Sequence, residues 1–186
     1  MSVKRIALIS LMAVLICVCS FITIPYTVPF TMQTFGVFCC LIILGGVDGT
    51  IAILLYVVLG MIGLPVFSGF RGGIGHLLGP TGGYIIGFIG TGLIYTLFEF
   101  LFKSQDEKKK RIIEIISLVC GLLICYIIGT IWFYVVMKSV EYTFFKILLI
   151  CVIPYLVPDL IKLVLAIIIS NRLKKVIFKK EENDYE

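Results

Sequence analysis

Asp159 and Lys162 stand in an otherwise apolar stretch, Ile147 to Ile169, broken only by Pro154 and Pro158. Residues three apart on a helix share a face. A carboxylate that can only accept and an ammonium that can only donate therefore look the same way. A charge at the centre of a bilayer costs roughly 2.5–3.5 kcal/mol on insertion scales, so such residues face a cavity, a partner or a solute path. The pair reads either as a donor and acceptor set for a bound solute or as a self-neutralising ion pair that fixes helix packing.

The elements that must carry this pair are written in blocks. The 186 residues are 60% hydrophobic, with a mean hydropathy of +1.14, far from the balance of a water-soluble domain. The apolar residues do not alternate with polar ones. They form six runs, at Ile6–Ile24, Thr34–Gly46, Thr50–Gly63, Tyr84–Phe102, Ile112–Met137 and Phe144–Ser170. A spanning helix needs about 20 apolar residues. The second and third runs are short, and the Gly45-Gly46-Val47-Asp48-Gly49 turn between them divides two short spans rather than one long one. The expected fold is an all-α integral membrane protein of six transmembrane helices. It is a single domain over 1–186 with a basic, flexible tail at about 174–186.

Charge sets the expected orientation. With both ends cytoplasmic, Lys4, Arg5, Lys103, Lys108, Lys109, Lys110, Arg111, Arg172, Lys174, Lys175, Lys179 and Lys180 lie inside, and only Arg71, Lys138 and Lys146 lie outside. Twelve against three is the positive-inside asymmetry. The net charge of +5 is thus a topology signal, and no basic patch on a soluble face points to nucleic acid. Lys4-Arg5 before an apolar run resembles a secretory signal, but no small-x-small cleavage site follows, so a retained first helix is expected. Seven cysteines, all in apolar runs, with one His and no C-x-x-C, fit small packed hydrophobes rather than a disulfide frame or a zinc site. That single His and the few acids within the spans offer no catalytic set.

Two loops on the expected outer side interrupt the pattern. Residues Ile24 to Thr34 carry Pro25 and Pro29, which hold the chain extended, and end in Gln33 and Thr34 at a helix start. This is a connecting loop with a Thr cap or a lid over an outward cavity. The segment Leu64 to Tyr84 holds seven glycines, is too apolar for a disordered linker, and lacks the Gly-Lys-Ser/Thr of a phosphate loop. Within it His76 reads as a loop hydrogen-bonder. Arg71 reads as a surface residue or a clamp for a carboxylate.

Val28-Pro29-Phe30-Thr31-Met32-Gln33-Thr34, Gly63-Leu64-Pro65-Val66-Phe67, Gly79-Pro80-Thr81-Gly82-Gly83-Tyr84 and the late Asp159-x-x-Lys162, in this order, resemble the BioY family. Its members are biotin-specific substrate-binding subunits (S components) of energy-coupling factor (ECF) transporters. The resemblance covers about Ala7 to Ala166. It implies the S-component fold and a biotin pocket near the outer face, in the membrane of a bacterial cell. It also implies partners, a transmembrane coupling subunit and two cytoplasmic ATPase subunits, besides membrane lipid. No cofactor or metal is implied, and ATP hydrolysis belongs to the partners: the chain has no Walker motif and no sizeable cytoplasmic domain. Pro158 and Arg71 depart from the small residues expected of the family at those places.

A biotin ligand would use the opening pair. Its ureido ring offers two N–H donors and a carbonyl, and its tail ends in a carboxylate. Asp159 would accept a ureido N–H. Lys162 would donate to the ureido oxygen or hold Asp159 charged. Gln33 or Arg71 would meet the carboxylate at the mouth, and Tyr84 or Trp132 would pack on the bicyclic ring. Ala7, Ser10 and Ala13, a loose match to the small-residue face of the family's first helix, would dock the coupling subunit or serve packing within the fold. Pro158, just before Asp159, is expected to break its helix and free carbonyls to line the pocket. An S component for another vitamin, a small membrane enzyme and a passive channel are the competing classes.

Overall fold

The computed structural model describes residues 2–26, 28–137 and 144–183. Among these residues eight helices run in chain order: α1 Val3–Phe21, α2 Gln33–Leu44, α3 Gly46–Met61, the short α4 Ile74–Leu77, α5 Gly82–Leu101, α6 Glu107–Val136, α7 Phe144–Cys151 and α8 Ile153–Asn183. Among the described residues four stretches are long and apolar enough to cross a membrane: α1, α5, α6 and the α7–α8 stretch Phe145–Lys174. The helices α2 and α3 are apolar but shorter, 12 and 16 residues, about 18 and 24 Å at roughly 1.5 Å per residue. The side chains of Phe144, Lys175 and of the stretch from 177 to the end lie outside the described set, as does Lys138, expected in an outer loop.

The turn expected between α2 and α3 narrows to one residue. Gly45 takes φ +82°, a left-handed value that glycine adopts without strain, and Gly46 to Gly49 already belong to α3. Two charged contacts fasten that helix start. The Glu99 carboxylate accepts from the Gly46 N–H at 2.6 Å, and Arg5 grips Asp48 through two bonds of 2.5 and 2.6 Å.

The helices pack as α5 along α6, α2 against α8, α3 against α5, and α1 against both α2 and α3. The core is aliphatic and aromatic, with Ile16, Phe38, Leu41, Ile53, Tyr56, Phe67 and Leu118 fully buried. Two irregular segments cap one end. The first is a small hairpin in which β1 (Thr23–Ile24) pairs antiparallel with β2 (Phe30–Thr31), Thr23 opposite Thr31. The second, 64–81, is a packed cap with its own anchor. The Phe67 ring lies edge-on to Tyr56 and stacks on His76, while Phe70 stacks on Phe21 at 4.4 Å.

The helix carrying Asp159 does not break at Pro158. It runs from Ile153 to Asn183, straight through the basic segment expected as a tail, and the interruption falls earlier, at Val152 between α7 and α8. Pro154 sits in the first turn of α8, where its missing N–H would have no intrahelical partner. Pro158 removes only the bond that would have reached the Pro154 carbonyl, so the rest of the ladder survives. The freed backbone therefore lies a turn above Asp159.

Candidate functional site

A cavity opens under the two caps, lined by both. Pro29, Thr31, Gln33 and Thr34 come from the hairpin and the start of α2, and His76 and Thr81 from the second cap. Tyr84 and Phe88 project from α5, Leu122, Cys125 and Tyr126 from α6, and Tyr155, Asp159 and Lys162 from α8. Asp159 and Lys162 are both buried, each 4% exposed.

Their partners explain how two charges tolerate that burial. Lys162 Nζ donates to Asp159 Oδ1 at 2.7 Å, to the Thr31 carbonyl at 2.7 Å and to Thr34 Oγ1 at 3.2 Å. An ammonium has three N–H groups, so all of them are engaged. It also lies 4.0 Å from the centre of the Phe30 ring, within cation–π range. Thr34 Oγ1 in turn donates to Asp159 Oδ1 at 2.9 Å, and Tyr126 Oη donates to Oδ2 at 2.5 Å. A buried pair is tolerable only when such further bonds satisfy both ions. A ligand oxygen that took a Lys162 proton would displace one of these partners, the longest being Thr34.

The other expected residues divide. Gln33 is buried at the cavity wall. Its amide oxygen accepts from Thr31 Oγ1 at 2.9 Å and its Nε2 donates to Tyr56 Oη, which leaves one amide N–H to spare. Tyr84 lines the cavity with its hydroxyl 3.4 Å from Thr130 Oγ1. Its ring occupies the space a side chain on Gly129 would need, 2.2 Å from that Cβ position. Arg71 and Trp132 do not line the cavity. Arg71 is exposed, and its backbone pairs with Phe67 across the loop. Trp132 reaches from α6 to the Gly79 carbonyl at 3.0 Å and packs on Gly83, so it props the Gly-Pro-Thr-Gly-Gly turn from behind. Ala7 and Ser10 face outward, whereas Ala13 is 1% exposed within the core. The three do not form one outward stripe.

Sequence reasoning missed Tyr126, Thr31 and Tyr155. Tyr155 Oη donates to the Val28 carbonyl and ties the hairpin to α8. A signal for Tyr126 was present: a phenol inside an apolar span must find a partner, and the one carboxylate in the span of α8 is the obvious acceptor. His76 stacks on Phe67 at the cavity edge. Burial, and then the nearby Arg71 charge, hold its pKa below the ordinary imidazole value.

Long apolar helices around a buried donor and acceptor cluster define a membrane protein with a polar cluster set in a capped cavity. Comparison with known proteins narrows the class. The BioY family profile matches residues 1–179, and the chain belongs to that family. It is 42% identical over 168 residues to the biotin transporter BioY of Thermotoga maritima, covering 87% of this chain and 90% of that one. It is 37% identical over 175 residues to a probable biotin transporter BioY of Pyrococcus horikoshii, covering 94% and 98%. Its fold is similar to a crystal structure of the S component for biotin from an ECF-type ABC transporter, with a TM-score of 0.77, 30% identity, and 93% and 92% of the two chains covered.

Proposed function

We propose that the chain captures biotin in this cavity and serves as the S component of an ECF importer. The observation that carries the reading is the buried Asp159–Lys162 pair facing a capped, largely apolar cavity in a chain of the BioY family. The Asp159 carboxylate accepts a ureido N–H. Tyr84, Phe88 and Leu122 supply apolar surface for the bicyclic ring, and the spare amide proton of Gln33 serves the carboxylate end. Buried polar groups left unpaired by a wrong ligand cost roughly 1–3 kcal/mol each, which is the source of selectivity.

In this reading α2 and α3 join the four longer stretches as two short spans, six in all. Both ends of the chain are cytoplasmic, on the lysine-rich side, and the caps face outward. A transmembrane coupling subunit docks on the outward face of α1 around Ala7 and Ser10, with two ATPase subunits beneath it. The chain binds and delivers, and its partners hydrolyse ATP. Titration of the purified protein in detergent against biotin, thiamine and riboflavin tests the substrate. Saturable binding of biotin alone supports the reading, and preference for another vitamin overturns it. Cysteine-accessibility labelling at residue 2 and in the 103–106 loop tests the orientation, which fails if either labels from outside.

A further inference from the structure

The Asp159 carboxylate has a count of acceptor sites that can be closed. A carboxylate offers about four lone-pair positions. Oδ1 uses two, for Thr34 Oγ1 and Lys162 Nζ. Oδ2 uses one, for Tyr126 Oη. One acceptor position remains, on Oδ2, and Tyr126 decides where it points. We propose that Tyr126 on α6 is a positioning residue for ligand recognition, seconded by Thr34 on α2. Together they hold Asp159 as a carboxylate with a single open acceptor aimed into the cavity. The inference rests on the proposed biotin reading and deepens it: the site takes one N–H of the ligand at Asp159, not two.

Several observations converge here. Tyr126 is 7% exposed and lines the cavity. Its oxygen is 2.5 Å from Oδ2, the length of a strong bond from a hydroxyl to a carboxylate. A phenol is donor and acceptor at once, and here its proton is committed to Asp159. Thr34 fills the other oxygen and also accepts from Lys162, so Oδ1 is closed to any ligand. Without the Tyr126 proton Oδ2 would have two open positions, and only the bonds at Oδ1 from Thr34 and Lys162 would orient the carboxylate. A ligand N–H would then meet an oxygen with two open positions, one of them free to take a competing donor.

The test is a double-mutant cycle on biotin affinity, read by isothermal titration in detergent. Tyr126→Phe should weaken binding about tenfold or more, the usual scale for a lost bond to a charged group. In an Asp159→Asn background the same change should have almost no further effect, because the residue acts through the carboxylate. Equal fold losses in both backgrounds would show a merely structural role and overturn the proposal, as would an unchanged affinity for Tyr126→Phe alone. If Asp159→Asn binds too weakly to measure, or Tyr126→Phe fails to fold, Thr34 decides. Thr34→Val should weaken binding and Thr34→Ser should restore it, and a Thr34→Val protein with parental affinity overturns the inference. Binding by the parent protein is the control: its failure removes the biotin reading itself, a separate result.

Discussion

Removing Lys162 and then removing the whole ion pair should separate ligand binding from helix packing. In Lys162→Met, Asp159 loses its counter-ion while buried at 4% exposure. Taking one partner from a buried pair costs roughly 3–5 kcal/mol. Two of the three donors to Asp159 stay in place, Tyr126 at 2.5 Å and Thr34 at 2.9 Å, so the loss belongs at the lower end, about 3 kcal/mol. The Thr31 carbonyl also loses its 2.7 Å donor, which loosens β2 over the cavity. The double variant Asp159→Asn, Lys162→Met has no charge to strand. Neutral replacement of a buried pair is often without penalty, so its stability should return to within about 1 kcal/mol of the parent. Biotin affinity should not return. A ligand N–H facing an amide in place of a carboxylate loses about 1–3 kcal/mol, a weakening of roughly 5–150-fold. The chain has one tryptophan, Trp132, bonded to the cap at Gly79. Its fluorescence follows unfolding in micelles, and calorimetric titration reads binding. A double variant that is stable and binds biotin like the parent would make the pair a packing device and refute the ligand role. A single variant as stable as the parent would refute the energetic argument.

Gly129→Ala should push the Tyr84 ring out of the cavity wall, since ring atoms lie 2.2–2.5 Å from the new Cβ. It should cost about 1–3 kcal/mol of stability and weaken biotin binding, while Gly75→Ala, with no atom within 4 Å, changes neither. Trp at position 7 or 10 should abolish co-purification with the coupling subunit and leave biotin affinity intact, because both side chains face outward. Trp at the buried position 13 should unfold the protein instead, as thermal melts of the three variants would show. The depressed pKa of His76 also has a sign. A folded-state value below the unfolded one means that its contribution to stability is full above the ordinary imidazole pKa and is lost as pH falls through the lowered value. Proteolysis of the cap around residues 68–80 should therefore accelerate under mild acid, and His76→Gln should flatten that dependence.

The long apolar runs and the charged pair were legible in the sequence because each is a strong local signal. A run near 20 apolar residues has few soluble homes, and a lone Asp and Lys three apart in such a run must share a face. The short helices were legible for a different reason, since a Gly-Gly pair stops one helix and starts the next. Legibility failed where geometry depends on a neighbour. Pro158 looked like a breaker, yet a proline one turn after a helix start removes a single bond and leaves the helix whole. Ala7, Ser10 and Ala13 looked like one stripe by residue size. Positions 7 and 13 are six apart and point to different sides of α1, Ala7 exposed and Ala13 in the core. The 64–81 segment looked like loop by its glycines, but Phe67 fills the space left free at Gly60 and turns the segment into a packed cap. Tyr126 was passed over because its partner lies 33 residues away on another helix.

Asp159 and Lys162 sit where several elements of the fold meet. Through three short bonds the pair touches β2 at Thr31, α2 at Thr34 and α6 at Tyr126. Tyr155, one turn earlier on α8, holds the hairpin at Val28. The α1–α3 group and the α5–α6 group thus meet at α8 beneath the cap. A ligand that takes the open Oδ2 position adds a bond at this junction. It also buries its ring against Tyr84 and Phe88 from the opposite group. Such binding adds a second tie between the two groups beside the direct packing of α3 on α5, so it stabilises the capped form by mass action and slows exchange of the hairpin amides more than those of the distant 103–106 loop. Uniform protection across the chain on adding biotin would contradict this. Protection confined to β1, β2 and the start of α2 would place the coupling at Asp159.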